Sequence, residues 1–142
     1  MNQADLTRFL TAQQRDYATA LEEIKSGRKR SHWMWYIFPQ IAGLGFSETS
    51  KFYALKDQTE AEAYLSHPVL GKRLIEISTA LIELEDDHAV RIFGSPDDLK
   101  LKSSMTLFAA LPNTHEVFGK VLTKFYNGMS DLDTIRLLKQ LA

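Results

Sequence analysis

Apolar residues recur three and four positions apart in one segment of this chain after another, and that spacing admits little besides packed helices. Leu6, Phe9, Leu10, Gln13, Tyr17, Ala20, Leu21 and Ile24 form the first stripe, with Asp5 placed to cap it and Gly27 to stop it. Glu48 to about Leu55 fits a short helix behind Ser47, and Thr59 with Glu62 is a capping box for a helix ending at Ser66. Pro68 suits the first position of a helix reaching about Leu84, with Leu70, Leu74, Ile77 and Leu81 inward. His88 to Phe93 is a brief helical or extended segment ending at Gly94. Ser95-Pro96-Asp97-Asp98 combines a cap, a fixed φ and an acidic first turn, and opens a helix to about Ala110. Thr114 to Tyr126, stopped by Gly128, and a last helix opened by Ser130 with Asp133 complete the series. Alternation of period two is confined to Ile37–Leu44. The expectation is a mainly α, single compact multi-helix domain over residues 1–142, with seven or so helices and little or no sheet.

Two helices carry polar residues where apolar ones belong. Gln13 sits in the stripe between Phe9 and Tyr17, and a buried amide left unpaired costs about 1–3 kcal/mol. It either bonds to a neighbouring loop or faces a polar ligand. The helix after Pro96 has apolar residues on every side, which makes it central. Yet Lys102, Ser103 and Thr106 share an arc of ~100° on it. Such a stripe is satisfied by other protein groups or borders a cavity.

The densest chemistry lies in Arg28 to Gln40, Arg-Lys-Arg-Ser-His-Trp-Met-Trp-Tyr-Ile-Phe-Pro-Gln, which sets three cations against both tryptophans of the protein. Aromatic faces stack bases at about 1–3 kcal/mol each, and neighbouring cations hold phosphate. The competing reading is a basic surface loop that runs into core tryptophans.

The totals narrow the classes. A chain of 142 residues buries roughly 70% of its unfolded surface. A net charge of −1 offers no general field for nucleic acid or an anionic membrane, so recognition of charge must be local. The absence of cysteine excludes disulfides and thiol chemistry. Met1–Leu10 has no signal-peptide pattern, and no apolar run approaches the ~20 residues of a membrane span, so a cytoplasmic setting is expected. No glycine-rich nucleotide loop, HExxH pair or GxSxG elbow occurs, and His32, His67, His88 and His115 lack ligand spacing. Neither a metal nor a cofactor is expected.

WMWYIFPQ followed by GLG, then HPVLG and DDLKLKSSMTLF, resembles a widespread family of small microbial proteins of unknown function, often labelled calpastatin-like. The resemblance covers nearly the whole chain and implies a mainly α fold without an assigned activity. More remotely, FLTAQQ (Phe9–Gln14) and LGKR (Leu70–Arg73) resemble motifs of the YbiA-like, or NADAR, superfamily. Its members cleave N-glycosidic bonds in riboflavin-pathway intermediates or remove ADP-ribose. Lys102–Phe108 is similar to its lysine helix only loosely, because the lysine precedes Met105, and its acidic catalytic residue has no matching motif here.

Together these imply a hydrolase of N-glycosidic bonds in a phosphorylated nucleoside or ADP-ribose-like compound. Trp33 or Trp35 would stack the base, with His32 and Gln40 in the same stretch, and Lys29, Arg30 or Lys102 would hold phosphate. Gln13, Ser103 and Thr106 would orient ribose hydroxyls. An oxocarbenium-like transition state calls for a carboxylate; Asp97 and Asp98 are the nearest candidates by sequence and Glu48 another, with Lys102 a candidate catalytic cation. The alternative is a non-catalytic module that binds a nucleotide or a protein. Single-strand nucleic-acid binding is disfavoured by the net charge.

Overall fold

The computed structural model describes residues 5–141. Among these residues nine helices form one all-α domain: α1 Thr7–Lys25, α2 Met34–Ile37, α3 Glu48–Tyr53, α4 Gln58–Ser66, α5 Leu70–Glu83, α6 Ala89–Phe93, α7 Asp97–Ala109, α8 Glu116–Tyr126 and α9 Leu132–Gln140. The expected count was short because the aromatic stretch folds into α2 and the ambiguous His88–Phe93 segment is helical. The extended expectation over Ile37–Leu44 reduces to an isolated parallel bridge between Ile41 and Leu55. No strand forms among the described residues, and no helix there is long and apolar enough to cross a membrane.

Several starts differ from the sequence expectation by one or two residues, and at two of them a carboxylate takes the cap. Asp57, not Thr59, caps α4, its carboxylate accepting the Glu60 amide at 2.9 Å. Asp131, not Ser130, caps α9 and accepts the Thr134 amide. A carboxylate satisfies an orphan helix amide better than a hydroxyl nearby, since the helix N-terminus favours negative charge. At α8 the cap is His115, whose Nδ1 accepts the Val117 amide at 3.0 Å. Thr114 instead donates to the Phe108 carbonyl at the end of α7. Neither Pro68 nor Ser95 takes its expected place: α5 begins at Leu70 behind Val69, and α7 begins directly after Pro96.

Helix α7 is central, as its all-round apolar pattern requires, and packs on α8, α9, α6 and α4. Leu101, Met105, Leu107 and Phe108 on it are buried. α5 lies between α1, α4 and α8, while α2 reaches the rest of the domain across α1 and carries α3 on its outer side. The aromatic stretch therefore sits at the edge of the core, buried from Trp33 to Pro39 except at Trp35, which is partly exposed.

Gly71 shows how tightly α4 and α5 meet. A Cβ there would lie 1.9 Å from the Leu65 carbonyl oxygen, and backbone cannot yield as a side chain can. Gly119 in α8 has open space at the same position. Gly71→Ala should cost on the order of 3 kcal/mol, lowering the urea midpoint with the slope unchanged. Gly119→Ala should raise the midpoint by about 0.4–1 kcal/mol in equivalent stability.

Candidate ligand-binding site

The basic-aromatic stretch is positioned by a residue the sequence reading passed over. Glu23 lies on the buried stripe of α1 between Ala20 and Ile24 and is 7% exposed. Its Oε1 accepts the amides of Arg30 (2.7 Å) and Ser31 (3.0 Å) and the indole N–H of Trp33 (3.0 Å), while Oε2 accepts the Ser31 hydroxyl (2.6 Å). The chain reaches these partners by reversing at Gly27, whose φ of +84° suits glycine. The signal was present as a carboxylate on an apolar helix face shortly before a cationic loop. Burial by itself would raise the Glu23 carboxyl. The hydrogen bonds from Ser31, Arg30 and Trp33 outweigh it and hold the group down to about 2.

That clamp divides the two tryptophans. Trp33 is 1% exposed and packs on Phe38 and Phe93 at ring separations of 6.2 and 6.4 Å. Lys29 Nζ stands 5.1 Å from the Trp33 ring, bonds the Ser31 carbonyl, and pairs with Asp97 at 3.0 Å. Neither Trp33 nor Lys29 offers a face to a ligand. Trp35 is half-buried, and Lys100 Nζ lies 5.1 Å from its ring centroid. Lys100 in turn pairs with the other oxygen of Asp97 at 3.4 Å.

Trp35 and Tyr53 border two adjoining hollows between α2 and α3. The inner one, about 110 Å³, is walled also by Gln40, Gly43, Gly45, Ser50 and Lys51. The outer one, about 560 Å³ and broadly open, adds Arg15, His32, Tyr36, Glu48, Thr49 and Phe52. Small-molecule sites run to roughly 300–1,000 Å³, so the inner hollow takes a single ring or phosphate and the outer one the remainder. Phe52 is exposed beside this opening, its ring edge-on to Tyr53 at 4.8 Å. The Tyr36 hydroxyl donates to Asp16, which also accepts two N–H bonds from Arg15. Burial and the Asp16 bond push Tyr36 up to about 12, and the Arg15 bonds hold Asp16 below the usual carboxylate range. At neutral pH the outer hollow thus holds a neutral phenol and an Arg15 whose charge Asp16 largely offsets. His32 there and Lys51 in the inner hollow are the other groups able to meet an anion.

The remaining candidates lie elsewhere. Gln13 is 2% exposed and spent on protein: Nε2 donates to the Tyr36 carbonyl (2.8 Å) and the Tyr64 hydroxyl (2.9 Å), and Oε1 accepts from Arg73 (3.4 Å). Arg30 is exposed and borders neither hollow. Ser103 donates to Asp131 at 3.0 Å, and Thr106 Oγ1 accepts the Asp131 amide at 2.9 Å, so the polar stripe of α7 is satisfied by the start of α9. Lys102 lines a separate shallow hollow with Met129, Asp131, Leu132 and Asp133. Asp98 is half-buried in the first turn of α7, away from the α2–α3 cleft. Asp97 is committed to Lys29 and Lys100, and of all the candidates His32, Trp35, Gln40 and Glu48 come together. Gln13, Trp33 and the Lys102 stripe do not share their cavity. Asp86, Asp87 and His88 converge on a surface turn with ligand atoms within 4.8 Å of one another. There His88 Nδ1 pairs with both carboxylates, at 3.2 and 3.0 Å.

Fold and cleft define a small all-α domain with an aromatic-rimmed groove at its edge. The chain belongs to the DUF1810 family, described as a protein of unknown function, whose model matches residues 3–138. It is similar to the conserved hypothetical protein Rv1873 from Mycobacterium tuberculosis, known from a crystal structure, at 45% identity and a TM-score of 0.92 over 95% of this chain and 96% of that one. No curated protein matches. These findings bear out the resemblance to the small microbial family and give the YbiA-like resemblance no support.

The depressed Glu23 carboxyl makes a prediction about acid. A folded value of about 2 against an ordinary 4.5 means its stabilisation is complete above pH 4.5 and is lost as pH falls toward 2. The shift corresponds to about 3 kcal/mol. Glu23→Gln should lose stability of that order at neutral pH and flatten the acid limb of a stability–pH curve measured by urea denaturation.

Proposed function

We propose that the protein binds a phosphorylated, nucleoside-like compound in the α2–α3 cleft. One observation carries this reading: His32, Trp35 and Gln40, from one short stretch, converge with Ser50, Lys51 and Tyr53 on adjoining hollows of ring and phosphate size. The half-exposed indole supplies a stacking face, Lys51 and His32 meet anionic oxygens, and the Gln40 amide and Ser50 hydroxyl suit ribose hydroxyls or a base edge. The segments behind the YbiA-like resemblance have packing roles that account for them: Gln13 ties α1 to α2 and α4, and Gly71 permits the α4–α5 contact. The ligand class therefore rests on the cleft rather than on that resemblance.

Non-catalytic binding is the reading the geometry favours. Of the catalytic candidates Glu48 alone borders the cleft, and it is exposed on the first turn of α3. N-glycosidic hydrolysis is the second reading, and Glu48 is the observation in its favour. A cleft of this openness does little to exclude water, which both a raised acid pKa and a short-lived oxocarbenium ion would require.

Thermal denaturation with AMP, ADP-ribose and NAD tests the first reading. A ligand at 100 times its Kd should add ~2.7 kcal/mol, raising Tm by roughly 8 °C. Trp35→Ala should weaken binding about 10- to 100-fold, the loss expected for one stacked base. No shift with any of the three would remove the proposal. Chromatography of the same mixtures reports released base: release abolished by Glu48→Gln would establish the hydrolase reading over simple binding.

A further inference from the structure

We infer that Lys100 makes the cleft selective for uncharged rings, rejecting a ligand whose stacking ring is cationic in favour of one whose ring is neutral, whatever anionic tail the two share. The inference rests on the reading of the cleft as a nucleotide-like site and names the kind of base it takes. Lys100 Nζ lies over the Trp35 ring, 5.1 Å from its centroid. Trp35 borders both hollows and Lys100 borders neither, which places the ammonium outside the cleft. A ligand that stacks on the indole meets the face Lys100 leaves open.

The ammonium is held there. Asp97 gives one oxygen to Lys100 at 3.4 Å and the other to Lys29 at 3.0 Å, and Lys29 is itself fixed against Trp33. Lys29, Lys100 and Asp97 together carry a net positive charge beside Trp35, and the Glu23 carboxylate bonded to the same loop and Asp98 next to Asp97 offset part of it. These side chains are only 24%, 19% and 8% exposed for Lys100, Asp97 and Lys29, which limits solvent screening. The indole quadrupole attracts a cation to either face, and the Lys100 ammonium on one face offsets, by repulsion through the ring, what a cationic ring would gain on the other. A cationic ring stacked opposite meets a like charge at roughly 8–9 Å, which at an effective dielectric of 20–80 weakens binding by at most about 2- to 30-fold, the upper limit before the Asp97 pairing is counted. A neutral heteroaromatic ring meets no such penalty, and its phosphate still reaches Lys51. Glu48, across the outer hollow, is the acidic group that favours a cation, but it is solvent-exposed.

Nicotinamide mononucleotide and its reduced form test this, because they share a ribose 5′-phosphate and differ in ring charge, and the loss of aromaticity on reduction is the same in every Lys100 variant and at every salt concentration. Isothermal titration calorimetry on the full chain should find the reduced, neutral-ring form bound about tenfold more tightly. Lys100→Met should bring the ratio to within about twofold, and Lys100→Arg should preserve it. In the native protein the ratio should also shrink as ionic strength rises from about 0.01 to 0.15 M, which needs no variant to fold. Equal affinities for the two forms, or a ratio untouched by salt and by Lys100→Met, would overturn the inference while leaving the cleft reading intact. Binding of neither form, nor of AMP, would overturn both.

Discussion

A buried carboxylate organises this protein's most informative segment. Glu23 accepts four hydrogen bonds from Arg30, Ser31 and Trp33, and so binds the end of α1 to the start of the aromatic stretch. Without such partners a carboxylate on an apolar helix face would be protonated or the helix displaced. With them, the chain emerging from Gly27 has a single exit direction, and Trp33 is drawn into the core against Phe38 and Phe93. The Lys29 amide adds a backbone bond to the Ile92 carbonyl, joining the same loop to α6. The position of α2, and of the groove beside it, follows from this fixed entry.

Asp97 is the second organising charge. Through Lys29 and Lys100 it ties the basic loop and Trp35 to the first turn of α7, the central helix. The cations that look from sequence like a phosphate grip do not meet at the groove. Lys29 is held by Asp97, Arg30 is exposed and borders neither hollow, Lys102 lines a separate one, and Arg15, which does border the groove, pairs with Asp16. What remains for a ligand is one half-exposed indole, a loop with glycines at 43 and 45, and the short α3 carrying Ser50, Lys51 and Tyr53.

Helix periodicity made nearly all of the fold legible, because apolar residues at three and four positions report burial directly. α7 could be identified as central for the same reason. The boundaries were less legible: Asp57, Asp131 and His115 outcompete the hydroxyls beside them as caps, and propensity alone does not rank such neighbours. The site was legible in outline only. His32, Trp35, Gln40 and Glu48 could be singled out from residue type, yet nothing in sequence separates a tryptophan that stacks a ligand from one that fills the core two residues earlier. That difference depends on Glu23 and Asp97, long-range partners invisible to local pattern. Gln13, Ser103 and Thr106 were conspicuous for a related reason. Each was a buried polar group in need of a partner, and each found it within the protein, at Tyr36 and Tyr64 or at Asp131.

The central claim is this division of labour, with Trp33 structural and Trp35 facing the ligand. The two indole N–H groups give separate signals in a ¹H–¹⁵N correlation spectrum, so AMP titrated into labelled protein reads both at once. The account predicts a progressive, saturable shift of the Trp35 indole signal, accompanied by the amides of Gly43, Gly45 and Lys51, with the Trp33 signal unmoved in its bond to Glu23. A Trp33 signal that moves while Trp35 stays fixed would contradict it.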